Sequence, residues 1–267
     1  DSAFSHSAAF CHAVEKICGI EVCQQALILR AIFSELERMS NHVNDIGGMA
    51  ADVGFSFPAM YAPLIKESIL QLNENLTKNR YLKNINTIGG VLTGFKEADK
   101  TALLDFLKLA MEDFGRLKKI LFSSVSFMDR VDSTGILRKK TAQDLGIAGL
   151  AARASGISTD LRKDFPGAYS LVKFNLKTEK NGDALSRLNI RFQEFEESVR
   201  LIRQFVQKLQ AGKQNNTANG INYKNGFALG YTEGWRGPIL YWVNIDETGI
   251  IKRCKIADSS FHNWQGL

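Results

Sequence analysis

QQALILRAIFSELERMSNHVND, residues 24–45, combines a regular apolar stripe with a dense polar face. The stripe recurs in steps of three and four, which is the spacing along one side of an α-helix, at Leu29, Ile32, Leu36, Met39, Val43 and Ile46. The opposite side carries Arg30, Ser34, Glu35, Glu37, Arg38, Asn41 and His42. Gly47-Gly48 can adopt the left-handed turn that ends a helix. The pattern fits a bundle helix with a solvated polar face, or one whose polar face lines a site or a subunit contact.

The same spacing predicts helices on both sides of this segment. They cover residues 5–20, 64–80, 96–130 and 183–210, with Gly19 ending the first, Asp183 capping the last and Gly212 ending it. Residues 47–61 are predicted to be a loop. Residues 131–182 are glycine-rich and irregular, which is typical of a wandering surface or of a built site.

The C-terminal part changes character. Residues 226–232, 237–245 and 250–256 are rich in β-branched and aromatic side chains, and a turn at 246–249 joins the last two as a hairpin. The fold class is therefore mainly α: a large helical bundle with a small antiparallel hairpin or sheet near the C-terminus. We expect one domain over 1–267, with a helical core at 1–212 and a β-containing part at 213–267.

Composition excludes several classes of protein. The 267 residues are 45% hydrophobic and carry a net charge of +6, which is ordinary for a globular domain and too weak to indicate nucleic-acid binding. No apolar run reaches the roughly 18 residues that span a bilayer, and residues 1–20 do not form a signal peptide. The four cysteines have no CxxC spacing and are predicted to be reduced. The termini suggest a fragment of a longer protein.

One charged segment stands out in the irregular region. Residues 153–162 place Arg153, Asp160 and Arg162 around a glycine. Such a set can hold an anion or form a buried ion-pair network that fixes a loop. By contrast, the histidines and cysteines near the N-terminus do not have the spacing typical of zinc sites.

Long ordered motifs give the chain a family resemblance. They are AVEK (13–16), SELERMSNH (34–42), Asp52-Val-Gly54, Asn79-Arg80, GGV (89–91), ARASGISTDLRKDFP (152–166), the set Arg187, Arg191 and Glu194, and EGWRG (233–237) leading to Arg253 and DSSFHNW (258–264). The chain resembles the large subunit of membrane-bound, energy-converting [NiFe] hydrogenases of the formate hydrogenlyase type. The same fold forms the quinone-site subunit of respiratory complex I.

The resemblance implies a metal site that this chain does not complete. The first cysteine pair of the family lies in Cys-Gly-x-Cys-x-x-x-His. Its histidine aligns with His6, so Ser2 stands where a thiolate ligand belongs and no metal-ligating residue is assigned. A hydroxyl is a poor substitute for a bridging thiolate, because soft sulfur ligands hold nickel and iron. The other cysteine pair of the family would lie beyond Leu267.

The resemblance also assigns roles to individual residues. It implies catalytic roles for Asp52, Glu15 and His6, with Asp52 similar to an acidic residue that relays protons beside quinone. Arg80 is similar to an arginine near the terminal iron–sulfur cluster of the neighbouring subunit. Arg153 and Asp160 are expected to line or brace the cofactor site. From the residues alone, Asp52 is equally well a capping carboxylate and Arg80 a surface cation at a helix end.

The expected function is that of a subunit of a hydrogenase or complex I-like oxidoreductase. It would receive electrons from a small iron–sulfur subunit and pass them to protons or quinone. It would lie at the inner face of the cell membrane through membrane subunits, with no span and no nucleic-acid partner of its own. The fragment itself would hold no cofactor and be inactive alone. The alternative is a non-catalytic homologue that keeps only the scaffold and its subunit contacts.

Overall fold

The computed structural model describes residues 2–210 and 220–266. Its main helices are α1 (Ala3–Cys18), α2 (Gln24–Asp52), α3 (Ser56–Thr77), α4 (Glu97–Phe122), α5 (Val125–Val131) and α9 (Ala184–Lys208). The short helices are α6 (Lys139–Asp144), α7 (Gly149–Ala154), α8 (Leu161–Asp164) and α10 (Ser259–Asn263), with 3-10 turns at Gly167–Leu171 and Trp264–Gly266. The strands are β1 (Asn86–Thr87), β2 (Gly90–Val91), β3 (Gly226–Glu233), β4 (Pro238–Ile245) and β5 (Ile251–Ala257).

Helix α2 is the centre of the core, as its stripe predicts. It packs between α3 and α9, and α4 lies against both of those helices. Stacked aromatic rings join α4 to α9, where the centroids of Phe114 and Phe195 are 3.6 Å apart. The mainly helical fold class is confirmed.

The prediction that α2 ends at Gly47-Gly48 is wrong. The helix continues to Asp52, and Gly54, with φ +75°, provides the left-handed residue after it. Gly47 instead allows close packing, because a Cβ there would lie 2.9 Å from the Cβ of Ala62 on α3. The loop predicted at 47–61 is therefore mostly helical, and α3 begins at Ser56 rather than near residue 64.

Other boundaries follow local chemistry. The helix predicted over 96–130 is broken at Ser123-Ser124, where the Ser124 hydroxyl accepts a hydrogen bond from Phe127 N and starts α5. Asp183 caps α9 as predicted, through the Ser186 N–H at 2.7 Å. Gly212, the predicted end of α9, lies outside the described residues. So does the proposed boundary between the helical and β-containing parts, and this division stays a prediction.

The C-terminal sheet has the predicted hairpin. Its antiparallel order is β3-β4-β5, and the Asp246 carboxylate accepts hydrogen bonds from the N–H groups of Thr248 and Ile250 to form the turn. One face of the sheet packs on α1 around Val14 and Val243. Among the helices at residues 2–210 and 220–266, none has the length and apolar character needed to cross a membrane.

Helix α1 is attached to α2 near both of its ends. At its start, the Glu37 carboxylate accepts hydrogen bonds from the N–H groups of Phe4 (2.7 Å) and Ser5 (3.1 Å). Near its end, Glu15 forms an ion pair with Arg30 at 2.6 Å. These two contacts hold α1 between α2 and the sheet.

Candidate functional site

The polar face of α2 is buried rather than solvated. Glu35, Arg38 and His42 are all within 1% of full burial. A charge buried in this way requires a partner. The partners come from the irregular region, from α9 and from the end of β3, so the polar face organises an internal site.

Arg153 is the central cation of this site. Its Nε donates to the Glu194 carboxylate at 2.7 Å and its Nη1 to Glu233 at 2.9 Å. The same Nη1 is 3.3 Å from the Asp160 carboxylate. The guanidinium is fully buried, and the surrounding carboxylates raise its pKa against the opposing effect of burial.

A second arginine extends the network to α2. Arg162 forms ion pairs with Asp160 at 2.7 Å and with Glu35 at 3.1 Å. Glu35 also accepts hydrogen bonds from the hydroxyls of Tyr169 at 2.6 Å and Ser198 at 2.5 Å. Burial raises the pKa of Glu35, but Arg38 and Arg162 outweigh it, so the pKa is lowered overall and the carboxyl is ionised.

Glu233 differs from the other carboxyls of the network. Burial, reinforced by the nearby Asp160 carboxylate, raises the pKa of Glu233 to about 7. Burial is also the largest effect on Asp160 and Glu194, but the arginines keep their pKa values below normal.

The charges of the network balance only when Glu233 is protonated. Three guanidiniums (Arg38, Arg153 and Arg162) face four carboxyls (Glu35, Asp160, Glu194 and Glu233). Burial lowers the pKa of His42, so its imidazole is neutral. The network is therefore neutral with the Glu233 proton and carries one negative charge without it.

The network reaches the start of α1 through an imidazole and an indole. His42 Nε2 is 2.9 Å from the Glu194 carboxylate, and its ring contacts that of Trp235 edge-on. The Trp235 Nε1–H donates to the Ser2 hydroxyl at 3.1 Å. Ser2, at the position of the expected thiolate, thus lies one side chain away from the network.

His6 lies between a phenol and a carboxylate. Its Nδ1 is 3.1 Å from the Tyr241 hydroxyl, and its Nε2 is 3.2 Å from the Asp258 carboxylate. The imidazole is about one third exposed. A tyrosine, a histidine and an aspartate linked in this way can pass a proton between solvent and the start of α1.

Glu15 and Arg30 build the GGV turn. Glu15 accepts a hydrogen bond from the Gly89 N–H at 2.8 Å, and Arg30 donates to the carbonyls of Thr87 and Gly90. Both side chains also line a cleft of about 790 Å³ whose lining includes Arg162 and Glu233. This cleft connects the α1–α2 ion pair with the edge of the buried network.

Asp52 and Arg80 lie apart from the network. Asp52 is the exposed last residue of α2. Arg80 follows α3 and pairs with Glu67 at 2.5 Å and Glu74 at 3.5 Å. Of the six residues expected in the site, the structure brings Arg153 and Asp160 into contact, and puts Glu15 on the neighbouring cleft.

The residues present do not fit a [NiFe] centre. Ser2, which stands where a thiolate ligand belongs, carries a hydroxyl that accepts a hydrogen bond from the Trp235 Nε1–H. Over residues 2–210 and 220–266, no three His, Cys, Asp or Glu side chains form a group that could hold a metal ion. These residues therefore do not supply the thiolate donors that such a centre needs.

Sequence reasoning identifies only part of the network. Glu194 and Glu233 occur in the motifs but are not predicted to belong to the site. Glu35 and Arg38, which join the same network, lie on a helix face whose role the sequence leaves open. The available signal is the excess of charge on a helix with a regular apolar stripe. A polar face that is buried needs oppositely charged partners elsewhere in the chain, whereas a face in contact with water does not.

A mainly helical body with small antiparallel sheets is consistent with the large-subunit fold that the resemblance implies. Comparison with protein families matches residues 52–223 to the 49 kDa subunit of the respiratory-chain NADH dehydrogenase. The chain belongs to this family.

Individual relatives agree with this assignment. An NADH-quinone oxidoreductase subunit of Deinococcus radiodurans is 31% identical over 99% of this chain and 73% of its own length. The corresponding protein of Clostridium beijerinckii is 32% identical over 95% of the chain and 69% of its length. That of Thermus thermophilus is 30% identical over 99% and 71%. The complex I half of the resemblance is confirmed, and the hydrogenase half stays a prediction.

Proposed function

We propose that this chain is the subunit of a complex I-like oxidoreductase at which electrons from an iron–sulfur partner reach quinone. The observation that carries the proposal is the similarity, over 95–99% of the chain, to relatives that are by name NADH-quinone oxidoreductase subunits. The complex would lie at the inner face of the cell membrane and be held there by other subunits.

The quinone head group would bind at the start of α1, near Ser2 and His6. Trp235 donates a hydrogen bond to Ser2 but is buried, with the Arg236 guanidinium over its ring. The feature that supports this position is the hydrogen-bonded set of Tyr241, His6 and Asp258, which offers a proton source. Reduction of a quinone to a quinol requires protons as well as electrons, so a proton relay next to the ring supports this assignment. Asp52 would supply protons from the exposed end of α2.

The other expected residues have supporting roles in this proposal. Arg80 lies on a cavity of about 260 Å³ with Glu37 and Asn73, and would face the iron–sulfur partner there. Glu15 fixes the GGV turn through Arg30 and acts as a positioning residue. Arg153 and Asp160 brace the helices that surround the site.

The proposal is tested in the assembled complex with His6→Gln and Asp52→Asn. We expect His6→Gln to lower the rate of quinone reduction by about 100-fold or more, which is the usual contribution of a positioned acid or base. Asp52→Asn should lower the rate by a smaller factor, because Asp52 lies at the exposed end of α2, apart from the start of α1. Electron transfer to an artificial acceptor that draws on the upstream cofactors should be unchanged. Asp129→Asn, an exposed carboxylate on α5, is the matched control.

A second function, that of a non-catalytic subunit that keeps only the scaffold and its subunit contacts, is favoured by one observation. The ion pairs of Arg153 and Asp160 are internal to the chain, as expected if the network only holds a scaffold. Normal quinone reduction in both variants would support that function. Stoichiometric nickel in the full-length protein purified with its partners would instead revive the hydrogenase function.

A further inference from the structure

The two edges of the C-terminal sheet differ in what covers them. The edge formed by β3 is covered by α1, where Lys16 Nζ donates to the carbonyl of Leu229 at 3.0 Å and His12 Nδ1 is 3.3 Å from the carbonyl of Tyr231. Contact is so close at Gly230 that a Cβ there would lie 2.0 Å from a carbonyl oxygen of α1. No strand could be added at this edge.

The edge formed by β5 is open. This strand pairs with β4 on one side, and over residues 2–210 and 220–266 its backbone has no hydrogen-bond partner in any other segment. Every residue from 251 to 256 is exposed. An outer edge strand with free N–H and C=O groups is a template for pairing with another chain.

The two faces of β5 have different chemistry. Cys254 and Ile256 lie opposite Val243 and Tyr241 of β4, on the face that packs against α1 further along the sheet. Ile256 is nevertheless 56% exposed, because α1 packs mainly against β3 and β4. The result is an apolar strip that continues the sheet's packed face out to its open edge.

The opposite face of β5 is basic. Arg253 and Lys255 lie opposite Asn244 and Trp242, and the strand IKRCKIA contains no acidic residue. Lys252 falls at the register shift and is 3.6 Å from the Asp246 carboxylate, whereas the other two cations form no ion pair with any residue of the described parts of the chain. Two copies of this edge would place like charges together, so self-pairing is disfavoured.

We propose that β5 accepts an extended segment of a partner protein in which acidic and apolar residues alternate. Neighbours on a strand point to opposite faces, so one set of residues of the partner would meet Arg253 and Lys255 while the other would cover Cys254 and Ile256. The partner's backbone would fill the open edge with hydrogen bonds, and its side chains would set the register. The proposal is independent of the quinone chemistry.

The experiment uses a synthetic peptide that alternates glutamate and valine, added to the full chain. Binding is measured by fluorescence anisotropy, and pairing by hydrogen exchange of the β5 amides. We expect exchange across residues 251–257 to slow by about tenfold or more. The double variant R253E/K255E should weaken binding by about tenfold or more, since two attractive cross-strand pairs become repulsive.

Two matched controls make the result specific. K108E/K119E changes the net charge equally at exposed positions of α4 and should leave binding unchanged. Two further peptides carry N-methyl groups on alternate residues, so that each peptide loses the N–H donors along one of its two edges. Strand pairing uses only one edge of the peptide, so only one of these two peptides should bind. Equal binding of both, equal weakening by both double variants, or binding without protection of the β5 amides would each overturn the proposal.

Discussion

Replacing Glu233 with glutamine should remove a pH dependence from the stability of the fold. The pKa of this buried carboxyl is raised from 4.5 to about 7, so the folded chain binds its proton more tightly than the unfolded chain. Stability from this group is fully present below pH 4.5, falls as the pH rises, and is lost above about pH 7. The full difference corresponds to about 3 kcal/mol, of which about 2 to 3 kcal/mol falls between pH 5 and 8.

The measurement is urea unfolding of both proteins at a series of pH values from 5 to 8. Glu233→Gln keeps one acceptor for Arg153 but cannot accept the Leu161 N–H with its amide nitrogen. The loss of this hydrogen bond lowers the free energy of unfolding of the variant by the same amount at every pH. The informative quantity is the change with pH: the free energy of unfolding of the natural chain should fall by about 2 to 3 kcal/mol relative to the variant.

The matched control is Glu247→Gln, in the exposed hairpin turn. It should follow the natural chain at every pH. If Glu233→Gln and the natural chain lose stability in parallel between pH 5 and 8, then Glu233 does not hold the proton that balances the network. The buried charges would then have to be balanced in another way.

Three further substitutions test the packing and the network, the first two by urea unfolding and the third by thermal unfolding. Gly47→Ala should destabilise the fold by about 1 to 3 kcal/mol, because its Cβ would lie 2.9 Å from a side chain of α3. Its control is Gly48→Ala, which has nothing within 4 Å of the added Cβ and should stabilise the fold by about 0.5 to 1 kcal/mol. Equal effects of the two substitutions would contradict the close packing at Gly47. Arg153→Met should lower the free energy of unfolding by about 3 to 5 kcal/mol, because it leaves buried carboxylates unpaired. Arg130→Met, at an exposed position, should change it little. A loss below about 1 kcal/mol in Arg153→Met would show that the network rearranges to compensate. Gly230→Ala should separate α1 from β3 and lower the melting temperature by several degrees; an unchanged value would refute that contact.

The sequence predicts elements better than it predicts their ends. The apolar stripe of α2 correctly predicts the central helix, since burial on one side requires that period. The pair Gly47-Gly48 is misleading because glycine serves both helix ends and close packing, and only the position of Ala62 distinguishes the two. The break at Ser123 likewise depends on a hydroxyl that caps the next helix.

The candidate site is predictable only where its members are close in sequence. Arg153, Asp160 and Arg162 share one segment, so their ion-pair network can be considered from spacing alone. Glu35, Glu194 and Glu233 come from three distant segments. No local pattern shows that they meet, and the proton on Glu233 depends on how many charges they bring together.

The two contacts that attach α1 to α2 restrict how the length of this region can change. Glu37 receives the start of α1, and Glu15 near its end meets Arg30. Each added or deleted residue turns the rest of a helix by about 100°. A single insertion between Phe4 and Glu15, or between Arg30 and Glu37, would point one of these side chains away from its partner. Changes in length can therefore occur in the connections around the two helices. The number of residues from Phe4 to Glu15 and from Arg30 to Glu37 is fixed by these contacts.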